Sequence, residues 1–408
     1  MRIFDCIIIG SGPAGLMAAN ILEESNLKYM VIEKNHYAGR KLAISGGTRC
    51  NVTNNFSPSE FINNLKIKNK RFLFSTLNNF GTKEIVTFFE NKGVILSLEK
   101  TYQYFPKSSK SQDIINALTK ELNLENFSFD SKVEILEKIS DGYIVKTNQK
   151  SFKTKTVIIA TGSKSYPKTG STGDGYLWGK TFNHETVPFY PAETHVYSEV
   201  VKKNKKALQG ISLNECEVKI NHKKTLYKGG LIFTHFGLSG PVIQDISELL
   251  YFELLKGKTI ITIKLTPHSK TTILTMLDKK ENQNKRIIRI IEKLTIKRLA
   301  KYLLMTLSIA DDKLISSLSN KEKQQIVTTL LQFEIPIDSV EKIENAYVNG
   351  GGISTNEIDP KTMESKLNKG MYFIGELLNV HGPIGGYNIT IALSTGYTAA
   401  NHIKRRLT

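Results

Sequence analysis

Cysteine is scarce in this 408-residue chain, which has only Cys6, Cys50 and Cys216. Their spacing matches neither a metal-ligand set nor a disulfide framework, which argues against a metal centre and fits a reducing cytoplasm. Cys6 falls inside an apolar run, where a small buried thiol is the default. Long apolar runs are also missing, so no membrane span is expected. The opening residues lack a basic leader and a cleavage site, so their short apolar run reads as a first strand and not as a signal peptide. Acidic residues are in deficit: 38 Asp and Glu stand against 56 Lys and Arg, a formal charge of +18. That balance favours a polyanionic partner such as nucleic acid. A lysine- and asparagine-rich bias that spreads charge without purpose is the plainer alternative. The rest is the composition of a folded protein, 40% hydrophobic and 23% charged, and is long enough for two or three domains.

The most informative segment is Gly10–Ser11–Gly12–Pro13–Ala14–Gly15. An apolar, strand-like run, Phe4–Ile9, precedes it, and a helix-like run, Leu16–Leu22, follows. A second β-prone run, Tyr29–Ile32, ends on Glu33. This is a βαβ unit with a glycine fingerprint and an acidic residue about twenty positions on. Gly10 permits a tight turn, Gly12 lets backbone approach a pyrophosphate, and Gly15 lets helix pack on strand. The helix start offers free N–H groups to phosphate, and Glu33 suits a ribose diol. A glycine-rich turn in an ordinary α/β domain is the bland alternative.

Further along, residues 61–91 read as helical, 94–105 as a hairpin and 113–122 as a short helix. Strands are expected at 131–136 and 143–146. A buried strand from Val157 ends in Ala160–Thr161–Gly162. From Pro191 the character changes, with strand signals at 217–220, 231–233 and 259–263. A helical stretch follows over about 271–332, which Pro336 helps to end. Near Tyr347 the first style returns: a buried strand, Met371–Ile374, runs into Gly375–Glu376, and a last helix spans Tyr387 to Arg405. There is no internal repeat and no long low-complexity tract.

Glycine at the end of the Val157 strand lets backbone pass close to a flat ligand. Gly375–Glu376 resembles a carboxylate-bearing turn that holds the ribityl or pyrophosphate part of FAD. The turn Gly382–Pro383–Ile384–Gly385–Gly386–Tyr387–Asn388 opens the last helix, and its N–H groups suit the pyrimidine edge of a flavin. Each turn alone reads equally well as a tight turn. Three such elements from distant parts of the chain favour FAD over NAD as the resident cofactor. A second full nicotinamide fingerprint is lacking, so NAD(P)H is expected only as a transient reductant. The glycine-rich segment Thr169–Gly175 reads as a cofactor contact or a shaped loop.

Six motifs carry a resemblance that runs the length of the chain. They are Gly39–Arg40–Lys41, Ser45–Gly46–Gly47–Thr48–Arg49–Cys50–Asn51, Thr172–Gly173–Asp174–Gly175, Thr234–His235–Phe236–Gly237–Leu238–Ser239–Gly240–Pro241, Thr362–Met363–Glu364–Ser365–Lys366 and Gly375–Glu376–Leu377–Leu378. Together they resemble the BaiN/YhiN-type (RdsA-type) flavoprotein family. The resemblance implies an α/β fold: a discontinuous Rossmann-like FAD-binding domain with an inserted β-barrel-like domain carrying a small helical subdomain. On this sequence the FAD-binding parts fall at 1–190 and 342–408, and the insert at 191–341, β-rich over 191–266 and helical over 267–335. The cofactor-binding set so expected includes Lys34, Arg40, Lys41, Asn51 and Val133 beside the turns above.

The resemblance also implies an NAD(P)H- and FAD-dependent oxidoreductase. Some members act on small molecules, and others reduce uridine to dihydrouridine in large-subunit ribosomal RNA. Two departures stand out. Thr48 replaces a third glycine, and Asn379 and His381 stand where two aspartates are usual. His381 is then a candidate acid, the plainer reading being a loop histidine. Cys50 is a candidate proton donor, or a small residue filling space beside the flavin. Arg49 is a candidate for a substrate phosphate. Lys285, Arg286, Arg289, Lys293 and Arg298 interleave with aliphatic residues and suit a face that grips RNA phosphates, or a merely solvated one. The expected function is uridine reduction in ribosomal RNA. The alternatives are a small-molecule flavin oxidase or reductase and a non-catalytic, FAD-containing RNA-binding protein.

Overall fold

The computed structural model describes residues 3–408, so the first two positions of the expected FAD-binding segment lie outside it. The chain forms two compact units. One comprises the residues up to Tyr190 together with Ile343–Thr408, and the other is Pro191–Lys342.

The first unit is built on a seven-stranded sheet. Its centre is parallel: Ile3–Ile9 lies between Tyr29–Ile32 and Ser151–Ile159. Residues Cys6, Ile7 and Ile8 are fully buried, as expected for strands covered on both faces. Ser151–Ile159 divides its far edge between two partners. Its first half pairs antiparallel with Gly142–Thr147, and its second half pairs parallel with Met371–Phe373. The chain that leaves this unit at Tyr190 thus re-enters the same sheet after Ile343. The last helix, Tyr387–Leu407, packs on the helix Pro13–Glu23. Gly396 makes that approach possible, because a Cβ there would stand 2.2 Å from the Ala14 carbonyl oxygen. The expected hairpin is present as Leu96–Leu98 against Gln103–Pro106.

The second unit holds a seven-stranded sheet that runs from Phe333–Ile337 at one end to Ser339–Val340 at the other. These end strands are consecutive in the chain and separated by Asp338 alone, yet no ladder joins them among the described residues. The sheet is therefore open by its hydrogen bonds, and the barrel-like closure is not established. Its hydrophobic core includes Val196, Phe233, Leu238, Ile261 and Ile335.

Four expectations about local structure are refined or corrected. Residues 61–91 are not one helix but three: Pro58–Asn64, Phe74–Asn79 and Thr82–Asn91. Leu65 and Gly81 take extended backbone, and Glu84 caps the last of the three by accepting from Gly81 N–H. Residues 271–332 likewise divide into Lys270–Asp278, Ile287–Leu294, Lys297–Thr306 and Asn320–Leu331, with extended backbone at Lys279, Arg286 and Ile296. Pro336 does not end the last of these. It lies within Phe333–Ile337, an edge strand, where a missing N–H costs no ladder bond. The stretch 191–266, read as strand-dominated, also contains the 14-residue helix Pro241–Leu254.

Candidate functional site

Backbone geometry shapes the turn between the first strand and its helix. Gly10 has φ +102°, and a Cβ there would meet the Ala160 carbonyl oxygen at 2.6 Å. Gly10 N–H donates to Ile32 O, and Ala160 N–H to Ile9 O, so three parallel strands end together at this point. A Cβ at Gly15 would stand 2.0 Å from Gly10 O, whereas one at Gly12 would meet nothing within 4 Å. Gly12 caps the helix without a side-chain hydrogen bond, and Pro13 has no N–H to satisfy. Ala14 and Gly15 therefore start a helix whose first N–H groups have no intrahelical acceptor, next to a Gly12 whose Cβ position is open. That is the arrangement a pyrophosphate requires, so these residues fit the expected dinucleotide.

Glu33 closes the second strand and is 7% exposed. One carboxylate oxygen accepts from Ser11 N–H at 2.9 Å and Ser11 Oγ at 2.6 Å, and the other accepts from Asn35 N–H at 2.9 Å and Asn35 Nδ2 at 2.6 Å. These bonds fix the acid to the fingerprint turn. Arg40 donates to Asn35 Oδ1 at 2.7 Å and extends the same network. Val133 begins a strand just after Ser131, whose N–H donates to Glu33 O.

Distant segments are tied to this centre by ion pairs. Lys34 reaches Asp174 at 2.7 Å. Lys41 pairs with Glu376 at 2.6 Å and also donates to Ser165 Oγ. Ser163 Oγ donates to the same Glu376 oxygen at 3.2 Å. Gly375, at φ +67°, lies close to Ala14, since a Cβ on it would be 3.0 Å from Ala14 Cβ. Thr161 Oγ1 accepts from Gly175 N–H at 3.2 Å, and Gly162 adopts φ +72° beside Ser171. The turn Gly375–Glu376, the segment Ala160–Gly162 and the fingerprint thus converge.

The start of the last helix forms a second cluster. Gly386, at φ +82°, packs on the backbone of Thr53 so tightly that a Cβ would stand 2.5 Å from Thr53 C. The Asn51 amide bridges the two segments, donating to Thr53 O at 3.0 Å and accepting from Gly386 N–H at 3.1 Å. Asn54 Nδ2 donates to Gly385 O at 3.2 Å. Asn388 spends its amide on Gly382, accepting at 2.9 Å and donating at 2.7 Å, and so closes the turn. The Tyr387 ring packs at a tilt against Phe61, 4.6 Å between centroids, and its hydroxyl accepts from Asn64. Gly386 N–H is consequently engaged within the protein, and the N–H groups of Tyr387 and Asn388 are those offered at the helix start.

The remaining candidates are enclosed, paired within the protein, or on the second unit. Arg49 pairs with Glu99 and lies over the Phe105 ring at 4.3 Å. Cys50 has no exposed surface, and burial pushes its thiol up to about 12. His381 is buried, with its ring edge-on to Tyr190. Lys285, Arg286, Arg289, Lys293 and Arg298 belong to the second unit and are all exposed, while Ile287, Ile288, Ile290, Ile291 and Leu294 between them are buried. Arg289 lies 3.8 Å from Glu292, and Arg298 donates to Gln209 O. Sequence reasoning overlooked Ser11, Asn35, Ser163 and Ser165. Short polar residues beside a glycine turn were the available signal. Among the described residues no cluster of three or more His, Cys, Asp or Glu is arranged for a metal ion, and no helix is long and apolar enough to cross a membrane.

Comparison with known proteins bears on the family and the fold. A family model described as the HI0933-like protein Rossmann domain matches residues 4–402. The chain is 28% identical over 412 residues to a protein of Escherichia coli K12 named ribosomal RNA dihydrouridine synthase, covering 99% of this chain and 98% of that one. It is 27% identical to 3-dehydro-bile acid delta(4,6)-reductase of Clostridium scindens, over 98% of both chains. Among solved structures, 3-ketosteroid-delta4-(5alpha)-dehydrogenase from Rhodococcus jostii RHA1 has a TM-score of 0.54 at 10% identity, covering 99% of this chain and 97% of that one. At that identity the likeness is one of fold.

Proposed function

The chain belongs to the HI0933-like family of FAD-dependent oxidoreductases, and on that premise we propose that it reduces the C5=C6 bond of a uridine in large-subunit ribosomal RNA, with NAD(P)H as the ultimate reductant. Membership in an oxidoreductase family removes the non-catalytic alternative. When bound, FAD supplies the hydride. The protein's own residues bind and orient. Ala14 and Gly15 N–H groups hold the pyrophosphate, Glu33 the adenosine ribose, and the Gly375–Glu376 turn with Lys41 the stretch between. At the other end Tyr387 and Asn388 N–H groups, at a helix N-terminus, favour negative charge on the reduced ring system.

The observation that carries the RNA reading is the basic face of the second unit. Its cations are exposed, and the aliphatic residues between them are spent on the core, as a phosphate-gripping surface requires. The proton that completes the reduction is not drawn from Cys50 in this conformation, because a wholly buried thiol offers no surface to a substrate. His381, 7% exposed, is barely better placed. A second reading, reduction of a small enone, is favoured by the relative named as a bile acid reductase. Mass analysis of ribosomal RNA from cells lacking the protein separates the two. One dihydrouridine should disappear, and an unchanged nucleoside profile would refute the RNA assignment. In vitro, NAD(P)H consumption should require RNA under the first reading and a small enone alone under the second.

A further inference from the structure

The motif Thr234–Pro241 is not among the residues assigned above to the cofactor, and it builds a polar, aromatic surface within the second unit. Val196–Tyr197 pairs with Gly237–Ser239 on one side and with Ser339–Val340 on the other. Side chains alternate along a strand. Val196 and Leu238 are fully buried in the core, so His195 and Tyr197 lie on the opposite face. The register continues to Glu341, whose N–H donates to His195 O at 3.2 Å. Thr234 holds the intervening turn: its hydroxyl accepts from Phe236 and Gly237 N–H groups. A Cβ at Gly237 would stand 2.1 Å from Val196 O, so only glycine admits the strand this close.

This backbone gathers three rings around one carboxylate. Phe236 lies 4.6 Å from His195 and 5.0 Å from Tyr197, centroid to centroid, and remains half-buried. Glu341 Oε2 accepts from Tyr197 Oη at 2.6 Å and lies 2.9 Å from His195 Nε2. A carboxylate only accepts, so Nε2 carries the hydrogen. In the neutral imidazole Nδ1 is then an acceptor, and it has no protein partner among the described residues. The His195 side chain keeps 17% of its surface exposed.

We infer that this surface is a binding site for a uracil base, stacked on Phe236, with its imide N3–H donated to His195 Nδ1. The inference rests on the RNA reading and gives the second unit a place where a uracil of the bound RNA is held. Stacking on Phe, Tyr and His is how splayed RNA bases are commonly held. An acceptor at this position selects uracil, which has an N3–H, over cytosine, whose N3 is itself an acceptor. It also selects against an enone, which has no N–H. Glu341 is a positioning residue, because it fixes the tautomer through Nε2.

The test measures binding of the full-length, FAD-loaded protein to fluorescein-labelled oligonucleotides of about ten residues, near the site size of common single-strand binders. Oligouridylate is compared with oligocytidylate and with oligo(N3-methyluridylate). The unmodified uracil strand should bind about tenfold tighter than either competitor, the scale set by one unpaired buried hydrogen-bonding group. His195→Phe keeps a ring but removes the acceptor and should erase that preference. Phe236→Leu should weaken all three strands alike, by about tenfold, with FAD content unchanged. A wild-type protein that does not distinguish uracil from N3-methyluracil overturns the inference with no variant needed, as does a His195→Phe protein that keeps the preference. The RNA reading fails separately, if ribosomal RNA from cells lacking the protein retains its full dihydrouridine content.

Discussion

Gly12 and Gly15 lie three residues apart on one turn, yet the structure gives their alanine variants opposite outcomes. At Gly12 the backbone is ordinary, φ −73° and ψ −177°, and an added Cβ meets nothing within 4 Å. Losing glycine at a helix N-cap destabilises, while lost freedom in the unfolded chain stabilises, each by less than about 1 kcal/mol. The cofactor-stripped Gly12→Ala protein should therefore unfold within about 0.5 kcal/mol of wild type. Its new methyl group, however, points into the space a phosphate must enter. Crowding of that kind costs about 1.4–2.8 kcal/mol, or a roughly ten- to hundredfold weaker FAD complex. At Gly15 the Cβ would overlap Gly10 O at 2.0 Å, and that oxygen belongs to backbone fixed by the sheet. Gly15→Ala should cost about 2–3 kcal/mol in the stripped protein itself. Thermal unfolding of stripped protein and fluorescence titration with FAD measure the two effects independently. A Gly12→Ala protein that binds FAD as tightly as wild type would refute the placement of the pyrophosphate. So would one whose stripped form is as destabilised as Gly15→Ala.

The three thiols are all buried, and burial pushes those of Cys50 and Cys216 up to about 12 and about 11. An aromatic disulfide reagent at pH ~8, just below the ordinary thiol value, should therefore modify none of them quickly until the protein unfolds. Rapid labelling of Cys50 in the native protein would count against its enclosure. Replacing Lys285, Arg289 and Lys293 with glutamate should weaken RNA binding and flatten its salt dependence by about 0.7 log units per lost phosphate contact on single strands. An unchanged slope would mean that this face is only solvated. Glu253 is held down to about 2 by hydrogen bonds from Lys223, Lys256 and Asn221 and by the charge of Lys223. A carboxylate so depressed adds stability above its ordinary value near 4.5, and that contribution fades as pH falls towards about 2. In an NMR titration, Lys223→Met should move the Glu253 midpoint back towards the ordinary range.

The strand–turn–helix–strand unit was legible because its requirements are local. Glycines, a helix start and an apolar run sit within a few residues of one another, and each demand is written at the position that meets it. The hairpin at Leu96–Pro106 and the buried strand before Ala160 were legible for the same reason. The helix breaks were not. Between Asp278 and Ile287 all eight residues are polar, and the apolar spacing on either side was read across them. In the structure Ile287 N–H donates to Lys313 O and Arg286 bridges to Leu314, partners that lie on a later loop. A periodic pattern records which face is buried, not where a distant carbonyl competes for the backbone. Arg49 shows the same limit among side chains. Its position beside a glycine loop suggested a phosphate, but its charge is met by Glu99 and its plane by Phe105, residues that reach it only once the hairpin folds. Conversely, Lys41 and Glu376 were singled out separately, each for its own turn. Their ion pair across 335 positions is what makes the two turns one construction. If that pairing organises the site before FAD arrives, Glu376→Gln should slow FAD capture more than it speeds FAD release. A part-exposed pair adds only about 0.2–1 kcal/mol to stability, so the defect should appear in the association rate while thermal unfolding of the stripped protein barely changes. An unaltered association rate would show that the two turns are held together without it.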